Sequence, residues 1–272
     1  MVGVVMSFND YQVTKGLAGI FTSPWVGLKH FKALFTSFYF YDIMRNTILI
    51  SVYKILFAFT SPIIFALLLN ELRGRRFKRV VQTITYLPNF FSPVVIVGLI
   101  LSLISPNYGI INALIGSMGG APSNFLANPR LFRSIIVFID VWQGTGFSAI
   151  IYLAAITSID QEQYESAKLD GANRFKQIWH ITLPGMSDII ILLFIFRIGY
   201  MLNAGFDQIF LLYSPPVYPV GDIIDTFVYR EGLVHMSYSF STAVGLFKSV
   251  IGFALIVAVN KAVKKFGRQG IW

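Results

Sequence analysis

Apolar residues occur along this chain in long blocks, separated by shorter polar, basic or Gly/Pro-rich segments. Five blocks, at about 47–69, 86–104, 132–157, 189–211 and 241–263, reach the roughly 20 mostly apolar residues that a membrane-spanning helix needs. The opening MVGVVMSF is apolar but too short for a span or a leader. It reads as the outer end of a helix whose earlier part lies before Met1. The pattern predicts an all-α polytopic membrane bundle, with five complete spans plus a truncated N-terminal one. No internal repeat or low-complexity tract divides residues 1–272, which are treated as a single transmembrane domain.

Charge orients the spans. LRGRRFKR at 72–79 holds five Lys/Arg, and NKAVKKFGR at 260–268 holds four. Under the positive-inside rule both lie on the cytoplasmic side. Residues 158–185 then lie inside as well, while 9–43, 105–131 and 214–237 lie outside. Trp25, Tyr39 and Tyr41 fall at the outer headgroup level. The loop at 105–131 is rich in Gly, Pro and Asn, with one short helix at 110–115. SPPVYPVGD reads as a rigid outer turn.

Residues 158–185 are unusual for their polarity. Ser158 and Gln161 have capping-box spacing, and Asp160 and Glu162 add negative charge where a helix begins. That helix should run to Leu169 and break at Asp170-Gly171, because glycine accepts the left-handed conformation that ends helices. A second helix is expected over 172–180, with Pro184 opening the next span. Tyr164, Ala167, Gly171, Phe175, Ile178 and Trp179 recur at three- and four-residue intervals. Lys168, Arg174 and Lys176 lie off that stripe. Physics alone allows a hairpin resting on the bilayer, or a ridge shaped for another protein's groove.

Composition narrows the chemistry. Hydrophobic residues make up 55% and charged ones 13%, against roughly 25% charged in soluble domains. There are no cysteines, which excludes disulfides and thiolate chemistry. The net charge of +9 sits beside apolar spans, so topology accounts for it and nucleic acid is not a partner. No G-x-x-x-x-G-K-[ST] loop occurs, and His30, His180 and His235 lack metal-ligand spacing. No catalytic residues and no metal are assigned, which argues against a membrane-embedded enzyme. Gly144–Phe147 reads as a site of close helix packing.

Lys54, Asp140, Arg197, Asp207 and Lys248 fall within predicted spans. A centred charge costs about 2.5–3.5 kcal/mol on insertion scales, so each should face a partner or a wet cavity. Lys54 and Asp140 lie at similar depth and are candidates for an ion pair. Arg197 and Lys248 have no obvious acidic partner at their own depth; they line a positively charged cavity, or else snorkel or pair across the subunit interface. Asn203, Asp207 and Gln208, with Trp142 and Gln143 opposite, combine hydrogen bonding with an aromatic face, as a sugar path would. Helix–helix hydrogen bonding explains the same residues equally well.

Glu165, Ala167, Gly171, Ile181, Leu183 and Pro184 also carry a family resemblance. Their spacing resembles the E-A-A, three residues, G, nine residues, I-x-L-P signature of permease subunits of binding-protein-dependent ABC importers. Ser166 departs from the usual second alanine, and Ile178 stands where phenylalanine is frequent. Stretches such as LLLNELRGRRFKRVVQTITYLPNFFSPVV, NAGFDQIFLLYSPPVY and STAVGLFKSVIGFALIVAVNK resemble the polysaccharide and oligosaccharide branch of maltose-type permeases, with a tone close to alginate oligosaccharide importers. The resemblance implies that Glu165, Ser166, Ala167, Asp170, Gly171, Phe175, Ile178, Ile181, Leu183 and Pro184 couple the chain to an ATPase. It further implies a second homologous permease subunit, two ATP-binding cassette subunits that hold ATP and Mg, an extracytoplasmic solute-binding protein, a carbohydrate cargo and a bacterial cytoplasmic membrane. No cofactor is expected in this chain. The competing reading is a secondary transporter driven by an ion gradient through Asp140 or Asp207.

Overall fold

The computed structural model describes residues 2–268, 270 and 271. It is helical throughout; apart from one isolated antiparallel bridge between Asn9 and Trp25, the described residues contain no strand. After short N-terminal turns come α1 (Lys29–Thr36) and α2 (Phe40–Glu71), the latter with a π-helical turn at Ile55–Phe59. Next are α3 (Arg75–Tyr86), α4 (Pro93–Ile104), α5 (Ile110–Ser117) and α6 (Pro129–Thr157). α7 (Gln161–Leu169) and α8 (Arg174–Gly185, with a π turn at Ile178–Thr182) precede α9 (Ser187–Gly199) and α10 (Phe206–Leu212). α11 (Ile224–Tyr229) and α12 (Tyr238–Lys265) complete the chain.

Among the described residues three helices, α2, α6 and α12, are each long and apolar enough to cross a bilayer, and two bent pairs, α3 with α4 and α8 with α9, raise the number to five if each pair is one span. The bent pairs correct the expected spans. The block read as 86–104 takes in the last residue of the basic amphipathic α3, its closing 3-10 turn and the apolar α4, which leaves that helix at 107°. Pro88 supplies the stop, since it ends up in a 3-10 turn at Leu87–Phe90 where its missing N–H costs nothing. The block read as 189–211 is not one helix. α9 stops at Gly199, and α10 starts only after its N-cap Gly205, whose φ of 98° is a left-handed conformation outside any continuous helix.

The chain divides into two compact units. Unit 1 comprises residues 1–51, 97–134 and 199–255. Its core joins Leu34, Ile43, Leu202, Ile224, Phe227 and Val244. Polar groups are sealed into the same unit. Asn46 Nδ2 donates to the carbonyls of Pro219 and Asp222, both at 3.1 Å, and Arg133 donates to Asn46 Oδ1 at 2.7 Å and to the Val220 carbonyl at 3.0 Å. These bonds satisfy the main chain of the Pro-rich turn, which would otherwise be buried without partners. Unit 2 comprises residues 52–96, 135–198 and 256–272. Its core is built on Ala66, Ala149, Tyr152, Ala155, Ile156 and Met186. Small residues let its helices approach closely. A Cβ at Gly146 would collide with the Thr85 carbonyl, so the Gly-Thr-Gly step does serve close packing, through its second glycine.

Candidate functional site

The polar segment folds as two short helices at a sharp corner. Asp160, rather than Ser158, is the N-cap of α7: its side chain accepts from the Glu162 amide at 3.0 Å, while the Ser158 hydroxyl donates back to the Ala155 carbonyl. The Asp therefore satisfies one of the amides that a helix start leaves open. α7 ends at Leu169, and Gly171 turns the corner with φ 73°. Asn173 caps the next helix by accepting from the Lys176 amide at 2.9 Å, a cap that the sequence reading missed.

The expected single apolar ridge is divided. Tyr164, Ala167 and Ile178 are half-buried, and the Tyr164 hydroxyl meets Thr182 Oγ1 at 2.9 Å. Ile181 and Leu183 are also half-buried, whereas Glu165, Ser166, Asp170, Gly171 and Pro184 are exposed. Phe175 and Trp179 face outward, 73% and 61% exposed, with their rings stacked 6.4 Å apart. Leu169 joins them at 90% exposure. It escaped the sequence reading because it lies off the stripe through Gly171; the corner at that glycine swings the second helix and resets which positions share a face. Exposed rings on a segment that also exposes Glu165, Lys168, Asp170 and Lys176 make a surface suited to a groove in another protein. Beneath the corner lies a polar cavity of about 350 Å3 lined by Glu71, Lys168, Arg174 and Gln177, among others.

Four of the five charges expected within spans fall into two groups, one in each unit. In unit 2, Lys54 Nζ donates to Asp140 Oδ1 at 3.1 Å, and Arg197 donates to Asp140 Oδ2 at 3.2 Å. One carboxylate thus serves two cations, and the triad keeps a net charge of +1. The Lys54 side chain is 5% exposed, that of Arg197 40%. In unit 1, Lys248 pairs with Asp225 and donates to Asn203 Oδ1 at 2.7 Å. The expectation that Arg197 and Lys248 lack acidic partners is therefore incorrect. Depth was counted along straight spans, but Asp225 reaches Lys248 from outside any span, and Asp140 spans two cations with its two oxygens.

Asn203 lies in the break between α9 and α10, not inside a continuous helix; Asp207 and Gln208 belong to α10. Asp207 is exposed and Gln208 buried. Trp142 and Gln143 belong to unit 2, where Trp142 is exposed and Gln143 donates to the Phe91 carbonyl at 3.3 Å. The break opens onto a cavity of about 610 Å3 in unit 1. Asn203, Asp225, Ser241 and Thr242 offer it polar groups, while Phe206, Tyr229 and Tyr238 offer rings. Those rings continue into a cluster: Phe210 lies 5.1 Å from Phe206 and 4.6 Å from Tyr229, and Tyr213 lies 4.9 Å from Tyr218. Tyr218, Asp222 and Arg230 line a second cavity of about 440 Å3. Burial opposes the charge of Arg230, but its hydrogen bond and ion pair with Asp222 at 2.7 Å outweigh this and hold the guanidinium above its ordinary range. A large, partly apolar cavity with few convergent polar groups is what a small-molecule site requires. No group of His, Asp and Glu among the described residues is arranged to hold a metal.

Residues 62–266 match the sequence profile of the "binding-protein-dependent transport system inner membrane component" family. The chain is 44% identical, over its whole length and 84% of the relative's, to the polygalacturonan/rhamnogalacturonan transport system permease protein YteP of Bacillus subtilis strain 168. Two solved structures are also similar. One, a bacterial alginate ABC transporter in complex with an alginate pentasaccharide-bound periplasmic protein, has a chain that aligns with TM-score 0.87 and 38% identity, covering 90% of this chain and 85% of that one. The other, a bacterial ABC transporter involved in the import of the acidic polysaccharide alginate, aligns with TM-score 0.89 and 37% identity over 97% and 88%. The ion-gradient alternative finds no support in any of these, and Asp140 is already engaged by two cations. The chain belongs to the binding-protein-dependent transport system inner membrane component family, as a permease subunit of an ABC importer.

Proposed function

We propose that this permease carries an acidic oligosaccharide across a bacterial cytoplasmic membrane by alternating access. The observation that carries the reading is the 610 Å3 cavity, where three aromatic rings stand among an Asn, an Asp and two hydroxyls. Sugars need that mixture, because their hydroxyls bind polar groups while their C–H faces pack on rings. Two further facts favour an acidic cargo. One relative is a polygalacturonan/rhamnogalacturonan transport system permease, and one similar structure is of a transporter involved in the import of the acidic polysaccharide alginate. In addition, the Lys54–Asp140–Arg197 triad retains one positive charge, borne by a partly exposed guanidinium that has donors to spare for a carboxylate.

A solute-binding protein delivers the cargo at the outer face. A second, homologous permease completes the path, and two ATP-binding cassette subunits bind ATP and Mg and hydrolyse the nucleotide. Residues 158–185, including Glu165, Gly171 and the exposed Phe175, dock on one of those subunits and relay its closure. The whole of residues 1–272 acts as one transmembrane permease domain in this scheme.

The test is uptake into vesicles holding the complete transporter, with labelled uronate and neutral oligosaccharides of matched length. Uronate uptake should exceed neutral uptake. Arg197→Gln should remove the excess, and Tyr229→Ala should depress both. Equal uptake of both cargoes by the unaltered protein would refute the acidic preference; uptake of neither would refute the carbohydrate reading.

A further inference from the structure

The basic helix α3 has a function beyond setting topology. At about 100° per residue, Phe77, Val80, Ile84 and, just past its end, Leu87 share one narrow face. Arg75, Arg76 and Arg79 occupy the adjoining face. All four apolar side chains are bare, at 61%, 54%, 65% and 53% exposure. The far side of the helix is packed: Val81 and Thr85 are half-buried, and the Thr85 carbonyl abuts Gly146 of α6. The helix therefore has one satisfied side and one that lacks a partner within the chain. It cannot be the start of a straight span, because α4 leaves it at 107°.

A bare apolar stripe flanked by arginines fits the boundary between acyl chains and headgroups. The anionic lipids of the cytoplasmic leaflet complement such a cationic edge. Arg73, immediately before the helix, adds a further exposed cation. The apolar strip also continues beyond the helix through Phe90 and Val94, 71% and 64% exposed, at the foot of the apolar α4. We propose that α3 lies in the plane of the inner leaflet as a binding surface for anionic phospholipid, with Phe77, Val80, Ile84 and Leu87 in the acyl boundary and Arg75, Arg76 and Arg79 on lipid phosphates. Through Gly146, the bound leaflet then holds α6, which ends at Thr157, just before α7 begins. This inference does not depend on the identity of the cargo.

This chain has no cysteine of its own, so one introduced cysteine is the only thiol that it offers to a label. Val80→Cys carries a spin label in the assembled transporter, reconstituted in vesicles of phosphatidylcholine with phosphatidylglycerol. Collisions with oxygen should exceed those with a water-soluble nickel chelate, giving a depth of about 5–10 Å below the headgroups. Protection from both reagents would mean that a protein partner covers the face, and dominant nickel access would mean that the face is solvated; either overturns the proposal. In a second arm, spin-labelled phosphatidylglycerol should be enriched over phosphatidylcholine in the lipid shell. Arg75→Gln, Arg76→Gln and Arg79→Gln together should bring the two to parity. Enrichment unchanged in that variant would remove the arginines from headgroup recognition and overturn that half of the proposal.

Discussion

The shared carboxylate of Asp140 makes an unequal prediction for its two ends. Lys54 and Asp140 are 3.1 Å apart with side chains 5% and 25% exposed, so their pair is buried. Removing one partner of a buried pair typically costs about 3–5 kcal/mol, because the other charge is left uncompensated. Asp140→Asn takes away the carboxylate that offsets the charge of the Lys54 ammonium. It also frees Arg197, but that side chain is 40% exposed and screening reduces its share to under about 1 kcal/mol. Lys54→Met is different. Asp140 keeps Arg197 at 3.2 Å as a counter-ion, and an apolar chain of similar length replaces the ammonium. That change should cost about 1 kcal/mol or less. Thermal unfolding of the detergent-solubilised protein reads the difference. At about 2–4 °C per kcal/mol for a chain of this order, Asp140→Asn should lower the midpoint by roughly 6–20 °C and Lys54→Met by a few degrees at most. The double variant should recover most of the loss. Equal shifts for the two single variants, or a larger one for Lys54→Met, would refute the sharing of one carboxylate by two cations.

Gly171→Ala should strain the corner between α7 and α8 by about 1–2 kcal/mol, since only glycine and, less readily, Asn or Asp occupy its left-handed conformation. Gly171→Asn should be milder, and the ratio of ATP hydrolysed to cargo moved, measured in vesicles, should worsen in the order native, Asn, Ala. Gly146→Leu should push α6 away from Thr85 at a cost of about 1–3 kcal/mol, seen as a lower unfolding midpoint. In the outer segment, the hydrogen bond from Lys29 at 2.6 Å holds the Asp10 carboxyl below its ordinary value of 3.8. The stabilisation is complete above about pH 4 and is lost as pH falls through the depressed value. Hydrogen-exchange protection over residues 9–37, taken relative to the intrinsic rate at each pH, should therefore fall below pH 4, and Asp10→Asn should abolish that acid dependence.

Much of the fold was legible because its causes are local. Long apolar blocks gave α2, α6 and α12, and Asp170-Gly171 gave the end of α7. The errors have equally physical origins. Pro88 and the arginine-rich face of α3 mark a turn, yet hydropathy alone merged Tyr86 into the following span. Asn203 and Gly205 interrupt a sequence apolar enough to pass for one helix. The Ser158 cap fitted a template, but Asp160 lies closer to the open amides. Partners such as Asp225 for Lys248, or Asn46 for Arg133, depend on tertiary approach across many residues and leave no periodic trace. The pair Lys54–Asp140 was within reach only because both lie on unbroken helices, where counting residues measures depth.

The interruption after Gly199 has a consequence for how the cavity should be dissected. Peptide groups from 200 to 205 leave the helical ladder beside the cavity, so each must bond to another protein group or to water. The Ser51 hydroxyl reaches the Met201 carbonyl, and the Asn203 amide turns back to Tyr200 at 2.9 Å. Part of the wall is thus lined by main chain, whose dipoles persist whatever side chain is attached. Truncation scanning will under-read that stretch; amide-to-ester replacement at single peptide units is the tool that would weigh it.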